Sequence, residues 1–237
     1  MTTLLTTLSE RKDEFVSHLA LAQAMEERLL DGEAVSIGET ALTVRHLMTI
    51  KSGLIVHLYN IVEALMSRAI EEVGGAVKAS PPDAWSVNTL KEWLRFSASI
   101  GLDGNEDSRL EVVHKAALKL LMVEPIENLR FKKPSGTWSD KVIFKFLQRL
   151  NVTLNTPQEL TLKIQKSATY GDKTPLEFLA DRRNAIAHGR QSFERGAVDL
   201  SLSDIKSLAD VTIEYMEHVI NSFQAFVDEK HYLAVRV

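Results

Sequence analysis

The 237-residue sequence contains no cysteine. This absence excludes a disulfide framework, a thiol nucleophile, zinc held by cysteine and an iron–sulfur cluster. Acidic residues outnumber basic residues, and the formal net charge is -4 at pH 7. That charge argues against a broad basic surface for nucleic acid and leaves room for a compact cationic site. With 45% hydrophobic and 25% charged residues, the chain has the composition of a globular protein, and we predict a single domain over residues 1–237.

Long hydrophobic runs are also absent. The most apolar stretch, residues 53–66, is interrupted by His57, Asn60 and Glu63, and it is too short to cross a bilayer. The threonine-rich residues 1–8 have neither the basic nor the apolar segment of a signal peptide. We therefore expect a cytoplasmic protein that makes no membrane contact.

Helix-start chemistry recurs along the chain. Four segments have the Thr-x-x-Glu pattern of a capping box, in which the threonine hydroxyl and the glutamate carboxylate each accept an N–H of the first turn; they begin at Thr7, Thr89, Thr156 and Thr174. Ser86 is an alternative start for the second of these helices. Each box predicts the beginning of a helix.

Apolar spacing and turn residues predict seven or eight helices and no strand alternation. The first helix starts near Leu8 and stops at Gly32, and the second is ended by Gly74 and Gly75. Residues 132–136 form a loop, and residues 33–45 receive no assignment. The predicted helices after the first cover residues 46–73, 87–100, 109–123, 140–150, 157–166, 175–188 and 204–229. The fold class is therefore all-α, a helical bundle.

The seven histidines give little sign of a metal site. Glu111 and His114 have the spacing of one ligand pair of a di-metal helical bundle, but such a site needs a second Glu-x-x-His, which the sequence lacks. The sequence also lacks a His-Glu-x-x-His motif. We therefore predict no metal and no cofactor.

The segment 181–190, which reads DRRNAIAHGR, differs from the rest of the chain. On a helix that starts at residue 175, Arg183 falls in the middle of an apolar stripe made of Leu176, Leu179, Ala180, Ile186 and Ala187. A charged arginine in that position needs an anionic partner or access to water. Two explanations are open: an ion pair with a carboxylate of a neighbouring helix, or a guanidinium placed to grip an oxyanion such as phosphate.

A polar sector lies beside this stripe. It contains Glu177, Asp181, Asn184 and His188, and on an ideal helix Arg183 and His188 point about 140° apart. Histidine is the side chain that changes charge nearest neutral pH. An arginine with a histidine close by suits general acid–base chemistry on a phosphodiester.

The run Arg183-Asn184-Ala185-Ile186-Ala187-His188 resembles the signature of the HEPN superfamily of α-helical proteins: an arginine, usually a polar residue next, and a histidine after four to six intervening positions. The Ala-His-Gly ending, the long apolar helix around residues 58–63 and the long closing helix fit the same superfamily. The resemblance implies a HEPN-like bundle that acts as a metal-independent endoribonuclease, often a toxin or antiphage effector, and as a homodimer whose motif helices, here residues 175–188, face each other.

The resemblance also implies roles for individual residues. His188 would transfer protons during attack of the RNA 2′-OH on the adjacent phosphate, and Arg183 would stabilise the charge on the phosphoryl oxygens. Asn184 would orient the substrate or the histidine, with Asp181 as a further supporting residue.

Flanking phosphates of RNA would be bound by Arg182, Arg190 and Arg195, with Lys132 and Lys133 as more distant candidates. Solvated surface arginines are common, so these five also have an ordinary explanation. DNA lacks the 2′-OH and should not be cut by this route. An antitoxin or effector protein is a further expected partner.

Two other functions stay open. One is a non-catalytic HEPN module that binds a partner protein or a nucleotide. The other is an unrelated helical interaction protein in which Arg183 and His188 are structural. The complete Arg-Asn-x-x-x-His set favours the nuclease.

Overall fold

The computed structural model describes residues 3–32, 36–97, 105–122, 126, 129 and 131–235. Within these ranges the chain forms eight α-helices, which confirms the all-α prediction: α1 Thr3–Leu30, α2 Val44–Lys78, α3 Val87–Ser97, α4 Glu106–Leu121, α5 Asp140–Leu150, α6 Gln158–Lys163, α7 Pro175–Ala187 and α8 Leu202–Asp228. The unassigned stretch before α2 contains a small antiparallel hairpin of β1, Ser36–Ile37, and β2, Thr40–Ala41. Short 3-10 turns lie at Pro82–Ala84 and Ala168–Tyr170.

The predicted end of the second helix is wrong. The helix α2 continues through Gly74 and Gly75 to Lys78. Each glycine costs about 1 kcal/mol relative to alanine inside a helix. Val73 and Val77 on either side are fully buried, and burying two valines contributes about 1.5–3 kcal/mol each. Packing therefore outweighs the local preference for a helix end. By contrast, Gly32 directly follows the last turn of α1 with a φ of +75°, so the first predicted stop is confirmed.

Only one of the four predicted capping boxes forms. At the start of α7 the Thr174 hydroxyl accepts the Glu177 N–H at 3.1 Å, and the Glu177 carboxylate accepts the Thr174 N–H at 3.4 Å. Thr7 lies inside α1, which begins one turn earlier. The same pattern thus predicts a true cap only where the preceding residues cannot extend the helix.

The other two boxes are replaced by local alternatives. For α3 it is Ser86 whose hydroxyl accepts the N–H of Thr89, at 3.3 Å. Thr156 instead pairs with Thr161 through their hydroxyls, 3.1 Å apart, and α6 begins after Pro157 with no side-chain cap.

The chain divides into two compact units. The first consists of Met1–Leu65, Thr137–Asp140 and Thr156–His218, and the second of Met66–Gly136, Lys141–Asn155 and Val219–Val237. The first unit buries Phe15, Leu54, Leu58, Leu179 and Leu208. That the whole chain is one domain stays a prediction.

The second unit has an aromatic core and a buried ion pair. Its fully buried residues include Trp93, Phe146 and Phe223. Glu92 in α3 is 1% exposed, and its carboxylate accepts hydrogen bonds from Nε and Nη2 of Arg149 in α5. The buried carboxylate therefore depends on a partner that the fold supplies.

The helix α2 is the one described element that is long and apolar enough, by length and composition, to cross a membrane. Half of its most apolar window is buried inside the structure, and Leu54, Ile55, Leu58 and Tyr59 are fully buried. Burial of this kind is the pattern of a core helix.

Candidate functional site

The site is built on α7, whose beginning is fixed by hydrogen bonds. Besides the capping box, the Thr174 hydroxyl donates to Asp140 at 2.6 Å, which ties the first turn to a residue outside the helix. At the other end, His188 is the C-terminal cap and Gly189 follows with a φ of +70°. This left-handed conformation suits glycine and stops the helix directly after the histidine.

The apolar stripe of α7 is buried within the protomer. Leu176, Leu179, Ala180 and Ile186 are buried, as the spacing predicts. Ala187, the last member of the predicted stripe, is exposed. The fold itself therefore covers most of the stripe, and a subunit interface is not required to bury it.

The partly buried Arg183 side chain forms an ion pair. Its guanidinium donates to the Glu63 carboxylate of α2 at 2.9 Å, with the two side chains 24% and 30% exposed. The same guanidinium lies over the ring of Tyr59, 4.9 Å from the centroid. The structure thus contains the neighbouring carboxylate that one of the two explanations requires.

Tyr59 is itself held firmly. The backbone N–H of Trp138 donates to its hydroxyl oxygen at 2.7 Å. Burial, helped by the nearby Glu63 carboxylate, raises the pKa of Tyr59 to about 12. The phenol is therefore neutral at physiological pH, and its ring presents an uncharged face to Arg183.

Asn184 links Arg183 to the chain before α5. Its side-chain oxygen accepts from the Arg183 guanidinium at 3.2 Å, and its amide donates to the Thr137 hydroxyl at 2.8 Å. The Asn184 side chain therefore orients the arginine; its role in orienting substrate or His188 stays a prediction.

The polar sector of α7 faces an open groove of about 500 Å³, here called the α7 groove. Glu177, Asp181 and Asn184 line one side. Hydroxyls and two lysines also line the groove, from Thr137, Ser139, Lys166 and Lys173. Asp181 is paired with Lys173.

His188 is exposed and belongs to the same sector of α7. Its backbone N–H donates to the Asn184 carbonyl at 3.0 Å, so it lies one helical turn beyond a residue of the groove.

The three arginines expected to bind RNA have different surroundings. Arg182 donates to both carboxylate oxygens of Asp199 and to the Gly196 carbonyl at 3.3 Å. Burial acts to raise the pKa of Asp199, but the hydrogen bond from Arg182 holds it below its usual value. Arg190 and Arg195 are exposed. Arg182 is therefore committed to the fold, whereas the other two face solvent.

Lys132 and Lys133 are exposed in the loop before α5, and they belong to the second unit. No group of three or more histidine or acidic side chains is placed to hold a metal ion among the described residues.

Sequence reasoning missed Tyr59, Glu63, Thr137 and Lys173 as site residues. One signal was visible, because Glu63 is the single acid in the most apolar stretch of the chain. An acid in an apolar helix and an arginine on an apolar stripe each need a partner, and they are partners of each other. Lys173 and Thr137 carry no such signal, since they come from segments without helical periodicity.

A comparison with protein families agrees with this architecture. The family model described as HEPN_MAE_28990-like HEPN matches residues 1–232. The chain therefore belongs to the HEPN family, as the resemblance of the Arg183-to-His188 run indicated. No curated protein and no solved structure gives a significant match.

Proposed function

We propose that the protein is a metal-independent endoribonuclease whose catalytic groups are Arg183 and His188. The observation that carries this proposal is the fixed position of Arg183. Its guanidinium is held by Glu63, Tyr59 and Asn184, and Asn184 lines the α7 groove.

The arginine keeps donors for a substrate. Guanidinium has five N–H donors, and two of them bind Glu63 and Asn184 within the described structure. Part of the side chain is exposed, at 24%. A preorganised donor set beside a groove is what stabilises charge that develops on a phosphoryl group.

The reaction is an internal transesterification of RNA. The 2′-oxygen attacks the adjacent phosphorus, the bond from phosphorus to the 5′-oxygen breaks, and the products carry a 2′,3′-cyclic phosphate and a 5′-hydroxyl. His188 moves protons, either from the 2′-OH or to the leaving oxygen. Arg183 stabilises the charge on the non-bridging oxygens. The exposed Arg190 and Arg195, together with Lys166 in the α7 groove, attract the phosphates that flank the scissile bond.

The proposal includes a second copy of the chain, packed through residues 175–188. Arg183 and His188 diverge by about 140° on an ideal helix, so a histidine from one copy and an arginine from the other can complete one site across a two-fold axis. A toxin or antiphage role in the cytoplasm, controlled by an antitoxin or effector protein, belongs to the same proposal.

The ion pair of Arg183 with Glu63 favours one alternative, a non-catalytic HEPN module that binds a partner protein or a nucleotide. In that case Arg183 serves only to hold α7 against α2, and RNA is left intact.

The test is incubation of the purified protein with unstructured RNA in EDTA. We expect cleavage that survives the chelator and is lost in Arg183→Ala and His188→Ala. The matched controls are Arg68→Ala, whose exposed side chain pairs with Glu71, and His114→Ala, an exposed histidine of α4; both should retain activity. Intact RNA from folded wild-type protein would contradict the nuclease and support the binding module.

Expression in cells supplies a second measurement. We expect slow growth with the wild type and recovery with His188→Ala. Equal growth of the two strains would remove the toxin role.

A further inference from the structure

A second cavity adjoins the α7 groove, and Gly171 lines both. It measures about 350 Å³, and its walls include Tyr170, Phe178, Arg182, Asp199, Asp204 and Ser207. We propose that this cavity, here called the Tyr170 cavity, binds a guanine base. Its use as a subsite of RNA rests on the proposed nuclease function.

The walls of the cavity offer flat surfaces for stacking. The rings of Tyr170 and Phe178 lie 5.4 Å apart and are tilted by 48°. The Arg182 guanidinium lies over Phe178, 5.0 Å from the ring centroid, and is held flat by the fork to Asp199. Single-stranded nucleic acid is bound by stacking its bases on aromatic rings and on arginine planes.

The charges of the cavity disfavour a phosphate, because Arg182 is paired with Asp199 and the remaining carboxylate of Asp204 repels an anion. The aromatic rings and the guanidinium plane favour a planar ligand that donates hydrogen bonds to that carboxylate. A nucleobase is such a ligand, and the volume of the cavity is at the lower end of the range for small-molecule sites.

Asp204 selects among the bases. Its carboxylate accepts two hydrogen bonds within the described structure, from the Ser201 N–H and hydroxyl, and both go to Oδ2, so Oδ1 is the oxygen offered to a ligand. A carboxylate only accepts. The Watson–Crick edge of guanine has two adjacent N–H donors, whereas adenine and cytosine place an acceptor beside their amine, and uracil flanks its single N–H with two carbonyls. Guanine is therefore the one base of the four that can direct two adjacent N–H donors at the single oxygen Oδ1, and it is the base that Asp204 favours.

The cavity also has a position relative to the proposed catalytic group. Arg182 lies six residues before His188, which is about 9 Å along a helix axis. On an ideal helix Arg182 also points about 120° away from His188, so an RNA strand that reaches both would curve around α7.

The experiment measures nucleoside binding by calorimetry, without any cleavage step. Guanosine should bind saturably and at least about tenfold more tightly than adenosine, cytidine or uridine, because hydrogen bonds to a charged group contribute about a factor of ten or more each. Asp204→Asn should weaken guanosine binding by at least about tenfold, and Tyr170→Leu should weaken all four nucleosides. The matched control is Asp210→Asn, on the same helix but paired with Lys206 outside the cavity, and it should bind as the wild type does.

Equal affinity for the four nucleosides, no saturable binding by folded protein, or unchanged binding in Asp204→Asn would overturn the proposal. Tighter binding of choline or of inorganic phosphate than of guanosine would overturn it too, in favour of an ion site. If RNA is never cut but guanosine binds as expected, the nuclease fails and the guanine site stands. If RNA is cut with no preference near guanosine, the nuclease stands and the subsite fails.

Discussion

Replacing Glu63 by glutamine should weaken the interaction that holds Arg183. The Glu63–Arg183 ion pair is neither fully buried nor fully exposed, because its side chains are 24% and 30% exposed. Exposed ion pairs contribute about 0–1 kcal/mol, and breaking a buried pair costs about 3–5 kcal/mol. We therefore expect a coupling free energy of about 1 kcal/mol between Glu63 and Arg183, measured by urea unfolding of Glu63→Gln, Arg183→Met and the double variant.

Salt separates this pair from a surface contact. Because both side chains are largely shielded, the coupling should persist at about 0.5 M salt, where exposed charges are screened. The matched control is the exposed pair of Arg68 with Glu71, at 45% and 68% exposure, whose coupling should be below about 0.5 kcal/mol and should vanish in salt. A coupling free energy of zero between Glu63 and Arg183, or one that vanishes in salt as the control does, would show that this ion pair does not hold Arg183 in place.

Three further predictions concern stability, each measured by urea unfolding. Gly75→Ala should stabilise the protein by about 0.5–1 kcal/mol, because Gly75 lies inside a helix and no atom lies within 4 Å of an added Cβ. Destabilisation by this substitution would mean that α2 is not continuous at Gly75. Arg149→Ala should cost up to about 3 kcal/mol, because it leaves the buried Glu92 carboxylate to the half-exposed Arg95. Arg95→Ala, 51% exposed, should cost under about 1 kcal/mol, because Arg149 still pairs with Glu92. Equal costs of the two variants would contradict this difference. Burial, and to a smaller extent the neighbouring His18, lowers the pKa of His57. Below a pH of about 6.5 the unfolded state therefore binds a proton at His57 more readily than the folded state does. The free energy of unfolding should fall as the pH drops through about 6.5. That fall should be smaller in His57→Gln, and an unchanged pH profile would argue against it.

Helical spacing predicted most of the fold because the buried faces are continuous. In α8, apolar residues at helical spacing, among them Ile205, Leu208 and Phe223, are buried, and α5 has the predicted bounds. Errors occurred where a local signal competed with packing. Gly74 and Gly75 are poor helix residues, yet the buried faces beside them carry α2 onward.

The candidate site was only half visible in the sequence. Arg183, Asn184, Asp181 and His188 share one helix, so their relative directions follow from helix geometry. The contact with Glu63 joins residues 120 positions apart, and no periodicity within one helix predicts which distant carboxylate an arginine will meet.

The proposed cleavage chemistry is tested by mass spectrometry of the RNA ends after incubation in EDTA. We expect a 2′,3′-cyclic phosphate on one fragment and a 5′-hydroxyl on the other, both absent with His188→Ala. We also expect no cutting when the ribose at the scissile position is replaced by deoxyribose. Fragments with a 3′-hydroxyl and a 5′-phosphate, or equal cutting of the deoxyribose substrate, would contradict that chemistry.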